Sequence, residues 1–161
     1  MAPVEKWVPA QPGDVWAILA DPRAYAFWVV GSHDVPEYDA HWPAVGATFR
    51  HVQGHGPVKL TDTSTVLEVD PGRRLVLEVR VRPVLTARVE LDLRASKGGT
   101  CITIDEWVDG GALRVLPRFV TSPPIALRNA DALRRLAAMA WVRSEARQAS
   151  PSADQIRASA S

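Results

Sequence analysis

The chain has 161 residues, the size of one domain, and 47% of them are hydrophobic, a normal share for a globular protein with a core. Its 19 basic and 18 acidic residues leave a net charge of +1. That excludes a broad electrostatic footprint for nucleic acid or an anionic membrane, and the single Cys101 excludes an intrachain disulfide or a cysteine-based zinc cluster.

Residues 4–8 read as a short strand ended by Pro9. Pro12 suits the first position of a short helix through Asp14 to Leu19. Asp21-Pro22 stops that helix and caps the next, which carries Tyr25, Phe27 and Trp28 before Gly31 closes the pair. Pro36, Pro43 and Gly46 punctuate a segment holding Tyr38 and Trp42. Residues 48–53 form a strand, Gly54-His55-Gly56-Pro57 a turn, and residues 59–69 a second strand ended by Asp70-Pro71-Gly72.

Residues 74–82 and 87–94 alternate apolar and polar with period two, and Gly98-Gly99 turns the chain into a third such run over 100–109. This is the pattern of an antiparallel sheet with one buried and one wet face. Leu75, Leu77, Val79, Val89, Leu91, Leu93, Ile102 and Ile104 are expected inside, and Arg80, Arg88, Glu90 and Asp92 outside. A one-sided sheet needs a cover. A long helix supplies it, expected to start at Ser122-Pro123-Pro124 and run to about Arg147, with Leu133, Leu136, Ala137, Ala140 and Trp141 on one stripe. The domain is expected to span residues 1–148, and the Ser- and Ala-rich residues 149–161 read as a disordered polar tail. The N-terminus has no signal-like apolar core and no run nears the ~18 residues of a membrane helix, so the expected compartment is the cytoplasm.

The fold class is therefore α+β. The order of elements resembles the helix-grip fold of the START and pollen-allergen-like (SRPBCC) superfamily, in which about seven strands wrap a long C-terminal helix. The likeness runs over about residues 3–143 and is carried by Asp14-Val15-Trp16-Ala17-Ile18-Leu19-Ala20-Asp21-Pro22, Trp42-Pro43-Ala44-Val45-Gly46, Val66-Leu67-Glu68-Val69-Asp70-Pro71-Gly72-Arg73-Arg74-Leu75 and Gly98-Gly99-Thr100. It is similar above all to the bacterial polyketide cyclase and dehydratase branch. That resemblance implies a small hydrophobic or aromatic, polyketide- or lipid-like partner, bound in a cavity between sheet and helix. A cofactor-free cyclase, aromatase or dehydratase is the alternative, and a protein-interaction or stress-response module a third. A fold shared by carriers, receptors and enzymes does not choose among them.

Glu106 shares the parity of Ile102, Ile104 and Val108, so it is expected to point inward, where desolvation moves a carboxyl towards an acid–base range. The competing reading is a strand-end Glu reaching water, or one paired with an Arg for structure. Its expected interior partners are His51, which shares the parity of Phe49, and Asn129, on the apolar stripe of the helix. In the enzyme alternative Glu106 and His51 are the expected acid–base residues, a neutral imidazole being able to shuttle a proton or hold a ligand carbonyl. His51 also fits a core histidine bonded to backbone, and Asn129 a residue satisfying nearby backbone. His55 lies ~13 Å from His51 along a strand, too far to share a zinc ion, and no metal or cofactor is expected. Trp28, Tyr38, Trp42, Phe49, Gln53, Leu133 and Leu136 are expected to line the pocket, with Asn129 or Tyr38 holding a carbonyl. Leu116 and Phe119, in the apolar segment 110–121, fit a lid over the cavity or equally an ordinary core-capping loop. The pocket is expected to measure roughly 300–1,000 Å³. Neither nucleic acid nor membrane is an expected partner, and the chain is expected as monomer or homodimer.

Overall fold

A computed structural model describes residues 3–55, 58–81, 85–111 and 118–150. Strand β1 (Val4–Val8) leads into helix α1 (Pro12–Leu19), a single 3-10 turn (Pro22–Ala24) and the short α2 (Tyr25–Trp28). Six strands follow: β2 (Ser32–Tyr38), β3 (Thr48–His55), β4 (Val58–Asp70), β5 (Arg74–Val81), β6 (Leu85–Ser96) and β7 (Gly99–Gly110). Helix α3 (Arg118–Ala149) closes the fold. The strands form one antiparallel sheet in the order β1-β7-β6-β5-β4-β3-β2. Sheet, two short helices and long terminal helix together make a helix-grip fold.

The period-two pattern places the core. Leu75, Leu77, Val89, Leu91, Leu93, Ile102 and Ile104 are buried, while Arg80 is exposed and Arg88, Glu90 and Asp92 keep partial access to water. Val79 is half-buried, because it borders a cavity. Register ties the inward positions into rows: Val66, Leu77, Val89 and Glu106 form one, and Phe49, Ser64, Val79 and Ala87 the next.

On α3 the buried stripe is Asn129, Ala132, Leu133, Leu136, Ala137, Ala140 and Ser144. Trp141, expected on it, is 51% exposed. The small residues Ala137, Ala140 and Ser144 bring this end of the helix close to its neighbours, and Trp141 falls on the flank. The helix also starts at Arg118, ahead of the expected cap, and carries Pro123 and Pro124 within it. Proline lacks the N–H of an interior helical bond, which is why the pair reads as a start signal in sequence.

Two close contacts fix the ends of the sheet and helix. The β6–β7 hairpin turns at Lys97 and Gly98, with φ of 51° and 77°, so Gly99 already belongs to β7. A Cβ on Gly99 would lie 2.2 Å from the carbonyl oxygen of Val8, so β1 sits this close only because residue 99 is glycine. At the other pole, Arg147 near the end of α3 donates to both carboxylate oxygens of the buried Asp14 on α1, each at 3.0 Å. This bidentate pair holds the Asp14 carboxyl below its usual range, against the opposing effect of burial.

Candidate functional site

The interior between sheet and α3 is divided. Toward β1 and α1 it is packed solid by Leu19, Leu91, Ile102, Leu133, Leu136 and Ala140. Beside this lies an aromatic cluster in which Tyr25 stands 4.9 Å from Trp28 and 4.7 Å from Phe49, and Trp42 meets Phe49 edge-on at 4.8 Å. The cluster is anchored at one backbone group. The Tyr25 hydroxyl and the Trp42 Nε1–H both donate to the carbonyl of Leu19 at the end of α1, each at 3.0 Å. A helix end leaves its last carbonyls without intrahelical partners, and these two rings supply the donors.

Past the cluster the packing opens into a cavity of about 150 Å³. Its walls include Trp28 from α2, Phe49 from β3, Leu77 and Val79 from β5, Ala87 and Val89 from β6, Ile104 from β7 and Ala132 from α3. It is smaller than expected, because Trp42, Leu133 and Leu136, expected as pocket walls, belong to the packed core instead. Tyr38 is 47% exposed and also does not border the cavity. Trp28, Phe49, Glu106 and Asn129 do border it. The side chains of His51, Gln53 and Phe119, and the whole of Leu116, lie outside the described residues.

The polar groups of the cavity come from four elements. Glu106 on β7 is 4% exposed and bonds to Arg128 on α3, whose side chain reaches partly into water. Among the described residues its partner is thus an arginine, one helical residue before Asn129, as in the competing reading of an arginine-paired Glu, while the side chain of His51 lies outside those residues. Such a pair is stable because the guanidinium hydrogen-bonds the carboxylate without being fully desolvated itself. Asp62 and Ser64 enter from β4, both buried, with Asp62 opposite His51 and Val81 in the ladder. Burial pushes the Asp62 carboxyl up to about 6, against the lowering effect of the nearby Arg128 charge. Trp28 and Asn129 contribute N–H donors.

Asp62 and Arg128 are not among the site residues expected from sequence. Residues 60–66 of β4 show Leu60, Asp62, Ser64 and Val66 on one parity and Thr61, Thr63 and Thr65 on the other. The second parity continues into Leu67 and Val69, so the strand points both ways. An irregularity between Val66 and Glu68 resolves the conflict by shifting the register there. Val66 is buried and Val69 packs against the same core. The signal for Asp62 is its even spacing from Val66. For Arg128 it is position next to Asn129 at the stripe edge.

Comparison with known proteins follows the same lines. The profile of the family described as "Polyketide cyclase / dehydrase and lipid transport" matches residues 3–141. The chain belongs to that family. Among solved structures it is similar to DynU16, a protein of the dynemicin biosynthetic locus, at 25% identity and a TM-score of 0.64, over 85% of this chain and 45% of that one. It also resembles the di-domain ARO/CYC StfQ of the steffimycin biosynthetic pathway, at 11% identity and a TM-score of 0.68, over 92% of this chain and 51% of that one. A third is Ara h 8.0201, at 12% identity and a TM-score of 0.67, over 86% and 95% of the two chains. The chain thus spans about half the length of the first two. No curated protein is similar enough in sequence to count as a relative. Membership agrees with hydrophobic-ligand binding or cyclase chemistry in general terms. No helix among the described residues is long and apolar enough to cross a membrane.

Proposed function

We propose that the protein binds a small apolar or aromatic molecule in the cavity between its sheet and α3. The observation that carries this is the cavity itself, walled by aliphatic and aromatic side chains in an otherwise packed interior. Close packing is the rule for protein cores, so a void of about 150 Å³ is a stability cost with no structural return. A bound molecule offsets it. Apolar cavities of about this volume take up benzene-sized ligands.

The test combines ligand uptake with a filled cavity. Calorimetric titration with toluene is expected to show saturable binding to the wild-type protein. Ala132→Leu, which adds three carbons from α3 into the void, is expected to abolish that binding while keeping or raising Tm. Toluene binding that survives the substitution would place the ligand elsewhere and end the proposal.

A second reading, cofactor-free acid–base chemistry on the bound molecule, draws support from Asp62. A carboxyl raised to about 6 within a ligand cavity, beside an Arg128–Glu106 pair, has the proton affinity of a general acid or base near neutral pH. In this reading Asp62 moves the proton and Glu106 orients Arg128. His51, opposite Asp62 in the ladder, stays a candidate for the same chemistry.

A further inference from the structure

The cavity is mostly apolar, yet two N–H groups at its wall lack an acceptor. Trp28 is 3% exposed and Asn129 2% exposed, and both border the void. Neither Trp28 Nε1 nor Asn129 Nδ2 has a hydrogen-bond partner among the described residues. The other tryptophan of this region is treated differently: Trp42 Nε1 is bonded to the Leu19 carbonyl. Buried donors are nearly always paired, because an unmade bond leaves the full desolvation cost standing. Two such donors, on two different helices and both at one cavity, point to a partner that enters from outside.

The charges nearby narrow that partner. The described carboxylates at the cavity are Asp62 and Glu106, and the one guanidinium, Arg128, is already engaged by Glu106. An anionic ligand would meet two acidic groups without a spare cation among the described residues, so the acceptor is neutral. The volume narrows it again: about 150 Å³ in a partly open cavity matches one aromatic ring with a short substituent better than a fused system of three or four. Resting on the ligand-binding reading above, we infer that the protein selects a neutral single-ring molecule carrying one hydrogen-bond acceptor, such as an aryl ketone, aldehyde or ester, whose oxygen accepts from Trp28 Nε1 and Asn129 Nδ2.

The experiment uses shape-matched probes on the full chain, measured by calorimetric titration. Acetophenone and α-methylstyrene differ only in exchanging a carbonyl oxygen for a methylene group. Acetophenone is expected to bind about tenfold or more tightly, since the analogue without an acceptor leaves both donors unpaired. Benzoate, of similar size but charged, is expected to bind more weakly than acetophenone. In Trp28→Phe and Asn129→Leu the preference for acetophenone over α-methylstyrene should shrink, and in the double variant the two should approach parity. Trp28→Phe also trims a packed ring and enlarges the cavity, so Tm is measured for each variant alongside binding, and the wild-type comparison stands without them. Equal affinity for acetophenone and α-methylstyrene would overturn the donor assignment while leaving apolar-ligand binding intact. Tighter binding of benzoate would overturn the neutral acceptor, and tighter binding of the three-ring ketone anthrone the single-ring limit. If none of the probes, toluene included, binds, the reading on which this inference rests falls with it.

Discussion

Asp62 and Glu106 face the same cavity from β4 and β7, yet their surroundings separate their chemistry. Glu106 holds Arg128 directly, whereas Asp62 feels that cation only at a distance and is dominated by its burial. Its folded pKa, about 6, lies above the ordinary carboxyl value of 3.8, so the folded state binds the proton more tightly than the unfolded state. Stability contributed this way is present below about pH 4 and is lost as pH rises through about 6. Asp62→Asn is therefore expected to be more stable than the parent at pH 8, by about 2–3 kcal/mol at most, and to show a flatter profile between pH 4 and 7. Urea denaturation across that range measures both. A mutant that keeps the parent's slope would show that another group titrates there.

Glu106→Gln tests the neighbouring pair. It keeps the side-chain shape but frees the Arg128 charge, which then acts on Asp62 alone. The expected outcome is a lower Asp62 pKa, read by carbon NMR of the carboxyl, with a stability loss of about 1–3 kcal/mol. The loss stays moderate because Arg128 is partly solvated and turns to water when its partner goes. In a turnover assay Asp62→Asn is expected to lose ~10²–10⁴-fold and Glu106→Gln less, and the reverse order would assign the proton transfer to Glu106.

Among the strands, alternation within β5, β6 and β7 makes their inward faces legible from the residues alone. An error of one residue would expose every Leu, Val and Ile on them. β4 is not legible in the same way, because a shift in register lets residues of both parities reach the core. The hairpin joining β6 to β7 carries the sharpest steric requirement. Gly99→Ala places a methyl carbon against the exposed Trp7 ring and the Val8 carbonyl, and the carbonyl cannot move without parting β1 from β7. A destabilisation of about 2–4 kcal/mol is expected, measured by thermal or urea unfolding. Gly98→Ala is a useful contrast, since it strains φ without a contact and should cost about 1 kcal/mol.

Across the domain, α3 is tied by ion pairs to residues far along the chain. Arg128 meets Glu106 at the cavity, and Arg147 meets Asp14 on α1. The Asp14 carboxyl is lowered, chiefly by its hydrogen bonds to Arg147, so its contribution runs opposite in sign to that of Asp62. It is present above the ordinary carboxyl pKa and is lost as pH falls through the lower folded value. Arg147→Met is expected to cost about 1–2 kcal/mol at neutral pH, a modest figure because Arg147 is largely solvated. The difference from the parent should shrink as pH falls below the ordinary carboxyl range. A difference that stays constant would mean the methylene packing of Arg147, not its charge, secures the helix.

Local chemistry and period account for much of this fold without reference to distant contacts. Alternation in the strands, helical spacing in α3 and the glycine and proline punctuation specify an α+β domain with its apolar faces turned to one interior. The parity of Glu106 and the stripe position of Asn129 belong to the same class of information, and both residues do border the cavity. Where that interior is full and where it is open emerges from the assembled packing alone. Trp42, Leu133 and Leu136 carry the same apolar signature as Trp28 and Ala132, yet the first three are consumed by packing and the last two face the void. Burial potential is a property of each side chain, while a cavity is the space left when all of them have been placed. The partner of Glu106 is settled in the same way, since an arginine 22 residues further on becomes a neighbour only when α3 lies across β7.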